Sequence, residues 1–83
     1  MENGAPTPIK MATDQAVVVF YYDLAIHLLS GMQNQLRLFK QDSPANQFQR
    51  VMELLAEKRN GFLKETQNRI QIVQAAQAPL RSN

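Results

Sequence analysis

The chain predicts an all-α fold, an antiparallel two-helix hairpin over about 14–41 and 44–77. Three observations carry that expectation. Apolar residues recur at steps of three and four through both halves, as on one face of a helix. Ser43-Pro44 between the halves is a strong helix start, because proline's missing N–H costs nothing in a first turn. Finally, the first half is more apolar than one neighbouring helix can cover, which predicts that two hairpins pair into a four-helix bundle.

Residues 1–12 contain Gly4, Pro6 and Pro8 and read as a flexible N-terminal arm. The hairpin domain is expected over 13–78, with a loose tail over 79–83. Thr13 suits an N-cap, and Asp14 suits the positive end of the helix dipole. From there Val18, Tyr21, Tyr22, Ala25, Leu28, Leu29, Met32, Leu36 and Phe39 keep helical spacing, so the first helix is expected from Asp14 to Gln41.

The connection Gln41-Asp42-Ser43-Pro44 leaves a turn of two or three residues, which makes the helices antiparallel neighbours. In the second helix, Phe48, Val51, Met52, Leu55, Arg59, Phe62, Thr66, Ile70, Val73 and Ala76 share one face. Its back is polar, with Glu65 and Arg69 placed for an i,i+4 pair. Asn60-Gly61 could turn the chain and give three helices. The stripe keeps phase from Leu55 to Phe62, however, which favours one continuous helix; Pro79 should end it.

On a helical wheel the stripe Val18-Ala25-Met32-Phe39 is expected to face the second helix. The predicted core is Val18, Tyr22, Ala25, Leu28, Leu29, Met32, Leu36 and Phe39 against Phe48, Val51, Met52, Leu55, Phe62, Ile70 and Val73. Val17, Phe20 and Leu24 then lie on one flank, Val19 and Ile26 on the other, and Asp23, His27, Ser30 and Asn34 form the polar strip. One helix cannot reach both flanks. Leaving Val17, Phe20 and Leu24 in water forgoes roughly 1.5–3 kcal/mol each of possible burial. Such a patch marks an interaction site, and the expected partner-binding residues are Val17, Phe20, Tyr21, Leu24 and Gly31. The arm could cover part of one flank by folding back Ile9 and Met11.

Composition narrows the function classes. Eighty-three residues make one domain, and a chain this short commonly needs disulfides, a metal or oligomerisation. It has no cysteine and one histidine, so disulfides are excluded and no metal or other cofactor is expected. Oligomerisation remains, and a homodimer is the first expected partnership. Nine basic and seven acidic residues give a net charge of +2, too mild to imply nucleic acid. Arg37, Lys40, Arg50, Lys58, Arg59 and Lys64 could meet phosphate, yet no recognition-helix grammar accompanies them.

Individual residues fit the same reading. Asp23 and His27, one turn apart, lack a nucleophile and a pocket, so no catalytic residue is assigned and no enzyme is expected. Arg59 sits on the apolar stripe. It either snorkels from the core edge, the favoured reading, or pairs with an acid across the hairpin or on a partner. One of Tyr21 and Tyr22 is expected in the core against Phe62 and Thr66. MENGAPTPIK lacks the features of a signal peptide, and the greasy run of 14 residues is short of the ~20 that span a bilayer. The expectation is a cytoplasmic protein with no membrane span.

The turn Gln41-Asp42-Ser43-Pro44 and the segment Thr66 to Val73 resemble those of type III secretion needle subunits, antiparallel hairpins of similar length. The resemblance covers about half the chain and carries over no functional residue. It implies a structural role in a secretion or filament assembly. The residues themselves favour a regulatory binder that docks a helix face on an unidentified protein: a small bacterial or phage-type inhibitor or antiactivator, or a chaperone.

Overall fold

A computed structural model describes residues 7–77 as two helices, α1 (Pro8–Leu38) and α2 (Asp42–Gln77), packed as an antiparallel hairpin. The expected segment 1–6, Pro79 and the tail 79–83 lie outside the described residues. The molecule is a rod of 66 × 23 × 16 Å, the dimensions of two long helices side by side.

α1 begins six residues before the expected Asp14. Thr7 is its N-cap, with Oγ1 accepting from the Lys10 backbone N–H at 3.1 Å, and Pro8 occupies the first turn. The proline logic applied to Ser43-Pro44 therefore governs Thr7-Pro8 as well. Thr13 is not a cap; its hydroxyl donates to the Ile9 carbonyl at 2.9 Å within the helix. Because 8–12 are helical, Ile9 and Met11 do not fold back over a flank. Met11 continues the inward face, and Ile9 is exposed.

The hairpin turn is Phe39-Lys40-Gln41. α1 stops at Leu38 because Lys40 takes a left-handed φ of 60°. Its N–H then bonds the Arg37 carbonyl at 3.0 Å, while Gln41 N–H bonds the Leu36 carbonyl at 2.8 Å. This closing pattern satisfies carbonyls that the helix end would leave bare, and glycine is its usual occupant. α2 starts earlier than Ser43-Pro44 predicts. The Gln41 carbonyl accepts its first bond, from Ala45 N–H at 3.1 Å, so Gln41 caps the helix and Pro44 sits within the first turn. Asn60-Gly61 does not interrupt α2, which is helical throughout.

The seam is narrow and rotated from its expected position. On α1 the side turned inward runs through Gln15, Val19, Tyr22, Ile26, Leu29, Gln33 and Leu36, with Val18 and Ala25 at its margin. On α2 it runs through Ala45, Phe48, Met52, Leu55, Arg59, Phe62, Leu63, Thr66, Ile70 and Val73. Of the predicted core, Leu28, Met32, Phe39 and Val51 are exposed, Phe39 by 75%. Only Ala45, Met52 and Ile70 among apolar residues, with Gln33, are buried among the described residues.

Polar side chains explain the rotation. Gln33 Nε2 donates to the Ala45 carbonyl at 3.0 Å and to Gln49 Oε1 at 3.1 Å. Gln15 Nε2 donates to Thr66 Oγ1 at 2.6 Å. Asp23 accepts from Arg59. All three lie toward the Val19–Ile26 side of α1, and α2 supplies a partner for each. Facing the opposite flank instead would leave Gln15, Asp23 and Gln33 to water but set the inward-turned Thr66 and Arg59 of α2 against apolar side chains, and a buried polar group without a partner costs about 1–3 kcal/mol. α2 therefore covers Val19 and Ile26 and leaves the more apolar flank open.

Candidate functional site

The open flank of α1 is continuous. At about 100° per residue, Tyr21, Leu28, Val17, Leu24, Gly31 and Phe20 occupy one arc of roughly 100°, next to the seam and reaching round to the side opposite α2. Val17 is 46% exposed, Phe20 60%, Tyr21 63% and Leu24 41%. With Gly31, also exposed, these are the five residues that sequence reasoning placed in contact with a partner, and among the described residues no neighbour buries them. Of the two tyrosines, Tyr22 turns toward α2 and is half-buried, whereas Tyr21 faces solvent.

Helical geometry also sets the chemistry of this surface. Phe20 and Tyr21 stand side by side with ring centroids 5.8 Å apart and planes tilted by 58°. Gly31 lies one turn beyond Leu28, and a Cβ built there meets nothing within 4 Å. The flank thus offers a bulky aromatic half and a shallow half separated by Leu24. Met32, Leu36, Phe39 and Phe48 line an apolar groove at the turn end of the rod. Val51, one turn from Phe48 and exposed, extends that apolar surface onto α2. Leu28, Met32, Phe39 and Val51, misplaced in the predicted core, therefore belong to the outer apolar surface.

The other side of α1 is polar. Asp23, His27 and Asn34 are exposed there and Ser30 is half-buried. Asp23 pairs with Arg59 of α2. Its carboxylate is held by Arg59 Nη1 at 2.6 Å, and Arg59 Nη2 donates further to Asn60 Oδ1 at 3.3 Å. Snorkelling, the favoured reading of Arg59, thus gives way to the cross-hairpin pair. The expected Glu65–Arg69 pair is present at 3.1 Å, together with Lys10–Asp14 at 3.0 Å. Among the described residues, no group of three His, Cys, Asp or Glu side chains could hold a metal ion.

The basic residues considered for phosphate are not gathered into one patch. Arg59 is engaged with Asp23, and Arg37 reaches Asn46 Oδ1 at 3.5 Å. Arg50 and Lys64 lie on the solvent-facing back of α2, far apart along the rod.

α1 is longer than the 14-residue run that argued against a membrane span. It is one helix long and apolar enough to cross a bilayer, with a mean hydropathy of 1.3 over 18 residues. Crossing alone would require α1 to leave α2 and give up the contacts of Gln15, Asp23 and Gln33. Crossing as a hairpin would carry the charged back of α2, including Glu57 and Lys64, into hydrocarbon, where charges are costly.

No protein-family model, curated protein sequence or solved structure matches this chain.

Proposed function

We propose that this chain is a non-enzymatic protein–protein interaction module, a regulatory binder that docks the open flank of α1 on a partner protein. It would act as an inhibitor, antiactivator or chaperone by occupying a surface the partner needs. The observation that carries this reading is the exposed run Val17, Phe20, Tyr21 and Leu24 on a helix whose other side packs on α2. Val17, Tyr21, Leu24 and Leu28 recur at i, i+4, i+7 and i+11, the anchor spacing of a helix laid in an apolar groove. Aromatic anchors of this kind dominate binding energies, because they bury much area for little conformational entropy.

Affinity purification from the native host, followed by mass spectrometry, tests the proposal. The wild-type chain should retain a defined protein, and Phe20→Asp should lose it while remaining helical by circular dichroism. Equal capture by the variant would overturn the assignment of the flank. Concentration-dependent polymerisation without a retained protein would favour a structural subunit instead, since head-to-tail contacts extend and closed ones stop.

A further inference from the structure

We infer that the open flank of α1 first accepts a second copy of this chain, with the two α1 helices antiparallel about a two-fold axis at Leu24. The inference rests on the reading of this flank as an interaction surface and names its resting occupant. The first support is the poverty of the hairpin's own interior. Three buried apolar side chains among the described residues make a thin interior, and the chain has no cysteine to cross-link it. Chains of this size commonly draw their missing stability from association.

The second support is a match of sizes about Leu24, larger side chains on one side and smaller ones at the same offsets on the other. Val17 and Gly31 each lie seven residues from Leu24, and Phe20 and Leu28 each lie four. An antiparallel copy centred on Leu24 therefore sets Phe20 against Leu28 and Val17 against Gly31, large side chain against smaller neighbour. Gly31 has open space where a Cβ would stand, so it can receive Val17 at close approach. A surface complementary to itself under a two-fold rotation is what a closed dimer requires.

Charge and exposure agree. Between Gln15 and Leu36 the one charged residue is Asp23, and Arg59 holds it on the other side of the helix. Two copies meet without like-charge repulsion, and the flank has none of the basic rim that draws helices to anionic lipid. Val17, Phe20, Tyr21, Leu24 and Leu28 are all exposed, so a second copy has this whole arc to bury.

Sedimentation equilibrium with single-cysteine cross-linking tests the proposal, since the chain has no cysteine of its own. The wild type should be dimeric at micromolar concentration. Phe20→Asp should weaken the dimer by more than about tenfold while keeping its helical spectrum. Under mild oxidation Leu24→Cys should link to itself, and Val17→Cys should link to Gly31→Cys in a mixture. Val17→Cys alone should not link, because the two sites lie about 21 Å apart in an antiparallel pair. Self-linking of Val17→Cys would overturn the antiparallel arrangement. A wild-type monomer at all concentrations, or one that floats with lipid vesicles, would overturn the dimer. A monomer whose host protein is lost on Phe20→Asp would sink the dimer alone. A dimer whose Phe20→Asp variant keeps its host protein would sink the binder reading alone.

Discussion

Arg59 of α2 reaches across the hairpin to Asp23 of α1, with Nη1 2.6 Å from Oδ1. Both groups are partly in water, so the pair contributes about 1 kcal/mol or less. The Arg59 stem lies on the apolar stripe, and its buried Nε has no hydrogen-bond partner. Arg59→Met should therefore leave stability almost unchanged or raise it slightly, because the stem packing is kept and the unpaired N–H is removed. Asp23→Ala should cost about 0.5–1 kcal/mol, a loss that shrinks in high salt. Urea titrations at low and high salt check both expectations.

Lys40 holds a left-handed φ of 60°, which costs a side-chain-bearing residue about 1–2 kcal/mol relative to glycine. Lys40→Gly keeps the bonds from residues 40 and 41 to Arg37 and Leu36. It should raise the unfolding free energy by about 1 kcal/mol, offset in part by the added freedom of the unfolded chain. A rise in the urea midpoint with unchanged slope is the expected readout.

Gly31 and Gly61 both sit inside helices, and a Cβ at either meets nothing within 4 Å. In the isolated hairpin, alanine at either position should stabilise by up to about 1 kcal/mol. The two should differ in self-association. Gly61→Ala should leave the dimer constant unchanged, whereas Gly31→Ala should weaken it by blocking the approach of Val17. Equal effects on the dimer constant would count against a seat for Val17 at Gly31.

Gln33 is the one buried polar side chain among the described residues, and it ties α1 to the first turns of α2. Gln33→Ala removes these bonds and opens a cavity, so it should cost about 2–3 kcal/mol. Gln33→Met fills the same space and leaves Ala45 O to its helical donor. Its cost should be under half that of the alanine variant. Thermal unfolding of the three proteins decides whether Gln33 acts through hydrogen bonds or through volume.

The helices and their antiparallel arrangement were legible in the chain because the apolar spacing and the proline starts are local signals. The exposed flank was legible too: Val17, Phe20 and Leu24 are apolar in a helix with too few neighbours. The start of α1 was missed although Thr7-Pro8 carries the same signal as Ser43-Pro44. Leu28, Met32, Phe39 and Val51 were misplaced because hydrophobicity alone ranks them above Gln15 and Gln33 as interior residues. For Arg59 the cross-hairpin pair ranked below snorkelling because Asp23, its partner, is remote in sequence.

By itself, the sequence determined that the chain forms two long helices joined by a tight turn, and that the first is apolar around most of its circumference. Local spacing and end signals suffice for that. Which flank α2 would cover was decided only by the tertiary structure. Apolar burial alone would favour the flank of Val17, Phe20 and Leu24, so the choice fell to where Gln15, Asp23 and Gln33 found partners across the seam. Water was left with Phe20 and Tyr21.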